Sequence, residues 1–295
     1  MSATSEAPAA FRNAAGMPGP LRLIREGISD ISSRRRLVRY LVQADMRKRG
    51  ADTFLGNFWW VLDPLLQMVV YVVFVAILSR GRGIEDYPLF IFAAILPWKW
   101  FTSSISDATT AVVSQDRLIK QIAFPKLVLP VAATTAGIVG FTFGLIPLGV
   151  LMLFYLDRIS PFVVFIPVIA AVQYVFTLAM AILVAAGNVF FRDLGNVSRH
   201  VLRLWFYLSP GLYSLAILEE LSIFQENPVL VTIARANPFA ILFEAYRAVI
   251  YGTPEHPPML PDGPSLGLLF VVSVALLALA IIVFKRLEPN FAKVL

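Results

Sequence analysis

Residues 162–186 read FVVFIPVIAAVQYVFTLAMAILVAA, 25 positions in a row without a charged side chain. A helix crosses about 30 Å of hydrocarbon in roughly 20 apolar residues, so this stretch is long enough to span a bilayer. Five further blocks of the same character surround it, at about 58–78, 88–113, 127–156, 201–221 and 266–284. The block at 127–156 is long enough to tilt. The first opens on Trp59 and Trp60, rings suited to the membrane–water boundary. The pattern predicts an all-α integral membrane protein of six transmembrane helices.

Composition agrees. Of 295 residues, 58% are hydrophobic and only 15% charged, and the mean hydropathy is +0.74. A soluble domain of this length needs more charge to cover its surface. Cysteine is absent, which excludes disulfides and thiolate metal sites. Residues 1–20 lack the apolar core of a cleavable signal peptide.

The net charge of +6 points to a membrane surface rather than to nucleic acid, because of where the cations fall. Ten of the 25 Lys and Arg precede Gly56, and three (Arg117, Lys120, Lys126) lie in 113–127. Three more (Arg192, Arg199, Arg203) lie in 188–203, and Lys285, Arg286 and Lys293 follow the last block. With six spans these regions share one side. The excess of Lys and Arg in cytoplasmic loops places both termini in the cytoplasm and the chain in the cytoplasmic membrane.

Before the first span the chain divides at about residue 32. Residues 1–31 form an Ala-, Ser- and Pro-rich tail ending in a short amphipathic helix after Pro20, with Leu21, Ile24, Ile28 and Ile31 on one face. Residues 32–56 hold a second helix, from Arg34 to Arg49, with Leu37, Leu41 and Ala44 on its apolar side. Such a helix lies along the membrane surface, apolar stripe down and cations toward anionic headgroups. Residues 57–295 are the transmembrane domain. Within it, 228–252 is too apolar for a solvated loop and too interrupted by Pro228 and Pro238 for one span. It reads as two short helices, 228–235 and 238–251, dipping into the outer leaflet between spans five and six.

Catalytic signatures are missing. There is no phosphate-binding G-x-x-x-x-G-K-[ST] loop and no G-x-S-x-G elbow. His200 and His256 fall on opposite expected sides, and no acidic cluster suited to Mg²⁺ faces the membrane. A chain that spans repeatedly without catalytic groups is most simply a conduit, or the membrane half of a machine.

Four segments then carry a resemblance. Ser114-Gln-Asp-Arg-Leu-Ile-Lys-Gln-Ile-Ala-Phe-Pro-Lys126, between spans two and three, resembles the coupling helix of ABC-2 type export permeases. Leu55-Gly-Asn-Phe-Trp-Trp-Val-Leu-Asp-Pro64 resembles that family's approach to its first span. Phe190-Phe-Arg-Asp-Leu194 with Phe206-Tyr-Leu-Ser-Pro210 resembles its connection between spans four and five. Asn237-Pro-Phe239 through Tyr246-Arg247, with the ending Phe284-Lys-Arg-Leu-Glu-Pro289, completes the series in register from about residue 35 to the end. Within the family the likeness is to permeases that export lipid-linked polysaccharides such as O-antigen, teichoic acid, capsule or galactan. The resemblance implies a homodimer paired with two copies of a separate P-loop ATPase, which would hold the ATP and Mg²⁺; no cofactor is expected in this chain. It also implies a polymer carried on an undecaprenyl-type pyrophosphate lipid.

Three groups of site residues follow, each with a plain alternative. Arg117, Leu118, Ile119, Lys120, Gln121 and Ile122 would contact the ATPase; an ordinary cytoplasmic loop explains the charges but not the apolar residues among them. Arg47, Lys48 and Arg49, nearest the first span, would take the pyrophosphate headgroup by charge-assisted hydrogen bonds; simple adhesion to anionic lipid explains most of the other cations on that helix. Tyr71, Phe74, Trp98, Lys99, Trp100 and Phe101 would line a polymer duct, since sugar C–H faces stack on rings; ordinary helix packing explains most of the aromatic content. Lys99 is the exception, because a cation at that depth costs about 2.5–3.5 kcal/mol and must face water or a partner. Asp63 raises the same question, and Glu244 with Arg247 are spaced to pair.

The rival readings are an ABC-2 exporter of drugs or small lipids, a secondary transporter, and a membrane glycosyltransferase. Scarce midplane acids and the lack of repeated halves disfavour the second. Missing metal-binding carboxylates disfavour the third.

Overall fold

The computed structural model describes residues 18–50, 54–78, 84–122, 124–253 and 256–295, and only the backbone of Arg49, Gly50, Asn57 and Leu118. Among the described residues there is no strand. Two amphipathic helices, α1 (Pro20–Ser33) and α2 (Arg35–Gly50), lead to α3 (Trp59–Leu78) and α4 (Tyr87–Ala111). The short α5 (Asp116–Gln121) then joins α4 to α6 (Val128–Met152), followed by α7 (Ile166–Phe190) and α8 (Leu194–Leu208). Next come α9 (Leu215–Glu219), α10 (Ser222–Glu226), α11 (Pro228–Ala236) and α12 (Pro238–Ile250). The last helix is α13 (Gly263–Val294).

Among the described residues, five helical segments are long and apolar enough to cross a membrane: α3, α4 continued to Gln115, α6, α7 begun from Pro161, and α13. A sixth is added if α11 and α12, bent by 68° at Asn237, count as one span. The chain is thus a multi-pass membrane protein. The block expected as a helix over 201–221 is different in outline. Its helix starts at Leu194 and stops at Leu208, and two five-residue helices follow instead of a continuation. Pro210 explains the stop: it lacks an amide donor and pushes Ser209 into extended backbone, φ −91° and ψ 151°. The last helix also runs ten residues beyond the expected Phe284, to Val294.

The core is built around α4, which is buried along most of its length between α3, α6, α7, α8 and α12. Polar side chains on α7 stitch it in place: Gln173 donates to the Pro97 carbonyl at 2.7 Å and Asn188 to the Thr109 carbonyl at 2.8 Å. Inside lipid such bonds have no competing water. Gly137 lets α6 lie against α4, since a side chain there would strike the Ser104 hydroxyl and the Trp100 ring. A second apolar cluster forms at the α5 end, joining Ile119, Leu127, Val189, Ile281, Phe284 and Phe291. By contrast α3 buries only Pro64 and Met68, leaving Val70, Phe74 and Ile77 uncovered.

Candidate functional site

The segment joining α4 to α6 carries the strongest sequence signal, and its local chemistry explains its form. Asp116 sits in the first turn of α5 and Lys120 in the last, each matching the helix dipole. The Asp116 carboxylate accepts the Arg117 amide at 2.7 Å. Arg117, Lys120, Gln121 and Ile122 face outward. Lys120, Gln121 and Ile122 continue into Phe124, Pro125 and Lys126 around a shallow concavity. Ile119 corrects the expectation: it is only 6% exposed and packs into the cluster with Leu127 and Phe284, because a helix this short needs one inward anchor. The Leu118 side chain lies outside the described residues.

Immediately after α5 the main chain is held by charge. The Lys126 amide donates to Glu288 Oε1 at 2.6 Å. Lys285 Nζ donates to Glu288 Oε2 at 2.9 Å and to Asp30 Oδ2 at 2.8 Å. These contacts join α13, α1 and the start of α6. Sequence reading did not find them, since the three carboxylate and ammonium groups come from the two ends of the chain.

Beside this corner, α2 lies against α6 and faces the α5 end of α4. A cleft of about 520 Å³ opens between them, lined by Asp45, Lys48, Asp107, Thr110, Ser114 and Gln115 among others. Arg47 and Lys48 are exposed on the same helix, and the Arg49 side chain lies outside the described residues. Of the three expected headgroup cations, the structure therefore puts Lys48 at a cavity wall.

A second cavity, about 350 Å³, lies between α3, α4 and α6. Trp59, Trp60, Trp100 and Phe141 form its aromatic walls. Its floor is an ion pair, Lys99 with Asp63, which joins the two membrane charges singled out separately by sequence. The remaining aromatic expectations divide. Trp98 and Phe101 are core residues: Trp98 meets Phe239 at 4.6 Å and Phe206 at 5.3 Å, and Phe101 meets Phe239 at 4.6 Å. Their faces are already occupied, which removes them as lining residues. Trp100 packs on Phe141 at 4.8 Å while still facing the cavity. Tyr71 stacks on Phe206 at 5.7 Å, and Phe74 is exposed on α3.

At the far end two buried arginines act as clasps. Arg158 donates to Asp86 at 3.1 Å and to the Thr253 carbonyl at 2.7 Å. Arg247 donates to the Pro210 and Gly211 carbonyls at 2.6 Å each and stands 3.6 Å over the Phe90 ring. Its expected partner Glu244 is present at 3.5 Å but is the weaker contact. Asn237 shapes the bend between α11 and α12, accepting from the Phe239 amide at 3.0 Å and from Trp205 Nε1 at 3.1 Å. Among the described residues no three His, Asp or Glu side chains gather as a metal would require.

No family model matches the chain. It is 34% identical to the O-antigen export system permease protein RfbA of Myxococcus xanthus over 92% of its own length and 99% of that protein's. Two proteins of the same description from Klebsiella pneumoniae are each 26% identical, over 86% of this chain and 93% of theirs.

Proposed function

Because the chain belongs to the O-antigen export permease family of ABC-2 transporters, we propose that it is the membrane half of an ATP-driven polysaccharide exporter. Two copies form the conduit, and each engages one copy of a separate P-loop ATPase. The substrate is a polysaccharide on a polyprenyl pyrophosphate, moved outward across the cytoplasmic membrane with both chain ends on the inner side. The observation that carries this reading is α5, a cationic helix that faces outward through Arg117, Lys120 and Gln121 while Ile119 anchors it in the apolar cluster beside α13. A push on such an element reaches the spans instead of being absorbed by a loose loop.

The remaining roles follow from position. Helices α1 and α2 lie along the inner membrane surface, where Lys48 and Arg47 meet the pyrophosphate beside the cleft on α2. The uncovered apolar face of α3 turns toward lipid and the second subunit. Lys99, Asp63 and Trp100 offer the polymer a polar and aromatic wall. The bent pair α11–α12, dipping from the outer side, closes the conduit when it is empty.

Depletion of the permease tests this directly. Lipid-linked polymer then accumulates on the inner leaflet and surface polymer falls. Normal surface polymer together with new drug sensitivity would instead identify a drug or small-lipid exporter.

A further inference from the structure

Glu288 is the least expected charge in the molecule. It is 8% exposed on a helix that is otherwise apolar for most of its length, and a buried carboxylate persists only when its oxygens are paired. One oxygen accepts the Lys126 amide at 2.6 Å, the other accepts Lys285 at 2.9 Å. Lys285 in turn holds Asp30 of α1 at 2.8 Å. The contact to Lys126 is made to main chain, so it reports movement of the backbone that leaves α5 rather than of any one side chain. Apolar contacts reinforce the same corner. Gly27 of α1 sits so close to α13 that an added Cβ would come within 2.6 Å of Ile281 Cγ2 and 3.3 Å of Leu127 Cδ2.

We infer that Glu288, Lys285 and Asp30 are positioning residues of the transport stroke, locking α1 to the elbow between α5 and α6. The inference rests on the reading of α5 as the ATPase-docking element. Apolar surfaces can slide, but separating these groups leaves buried charge unpaired, so α1 follows α5. Helix α1 is joined to α2 by a break at one residue, Arg34, and α2 forms a wall of the cleft that contains Lys48. The clamp therefore delivers the nucleotide-driven movement to the headgroup cleft at the same moment as to the spans.

The test uses the full permease–ATPase complex in vesicles. The natural absence of cysteine allows spin labels at Ser33→Cys on α1 and Gln121→Cys on α5, both exposed positions. Glu288→Gln keeps an oxygen for the Lys126 amide but loses the charge that holds Lys285. In that variant, ATPase co-purification and ATP hydrolysis persist while polymer exported per ATP falls about three- to tenfold. The label separation, constant through the nucleotide cycle in the parent chain, becomes nucleotide-dependent. Asp30→Asn acts in the same direction and Asp30→Glu restores the ratio. An unchanged ratio in Glu288→Gln, or export and hydrolysis falling only in step with protein abundance, overturns the inference at the clamp. Undiminished ATP hydrolysis and co-purification in an Arg117→Glu, Lys120→Glu chain overturns it at its premise, the docking of α5.

Discussion

Lys99 illustrates how much one residue can and cannot disclose. A cation between two tryptophans in an apolar block must have water or a partner, and that much is legible from its position. That the partner is Asp63, 36 positions earlier, is not, because the pairing depends on how α3 crosses α4. The pair lies at the wall of a cavity rather than in the packed core, with 28% of the Lys99 and 60% of the Asp63 side chain uncovered. Lys99→Leu is accordingly expected to lower export several-fold while leaving the amount of protein in the membrane nearly unchanged. Quantitative immunoblotting beside a surface-polymer assay checks this, and equal loss of both would make Lys99 a folding residue. Ile119 teaches the complementary lesson. Its neighbours are charged and the helix has only six residues, so sequence alone does not say which way it turns.

The elements were legible where hydropathy runs unbroken and less so where a turn hides inside an apolar block. The segment 201–221 is apolar enough on average to suggest a span, yet Ser209-Pro210-Gly211 ends its helix at Leu208. Averaging over a window conceals such a break; the X-Pro step within it is the signal that could have found it. The extension of α13 had a signal as well. Phe284 and Phe291 lie seven apart and so share a face, and both are fully buried. The arginine clasp at 247 holds the broken region together, since it satisfies carbonyls that the ended α8 and its turn leave without helical partners. Arg247→Met leaves those carbonyls unpaired and is expected to destabilise the fold by about 2–4 kcal/mol. Thermal unfolding in detergent should show a clear drop, whereas Glu244→Ala, removing the weaker contact, should not. A Met variant as stable as the parent would show that Arg247 is not the clasp.

At the scale of the whole molecule, composition and the spacing of apolar blocks were enough to read a helical, multi-pass membrane protein. Family likeness was enough to place it among export permeases. What lay beyond sequence is the corner where the two ends of the chain meet. There Asp30, Lys126, Lys285 and Glu288 bring α1, the α5 exit and α13 into one joint. That corner is also where the central claim can be tested. A photo-crosslinking residue placed at Gln121 in the working exporter should form an adduct with the P-loop ATPase, and a cysteine there should resist a membrane-impermeant reagent added outside sealed cells. Labelling from outside, or an active exporter that yields no ATPase adduct from that position, would contradict the account.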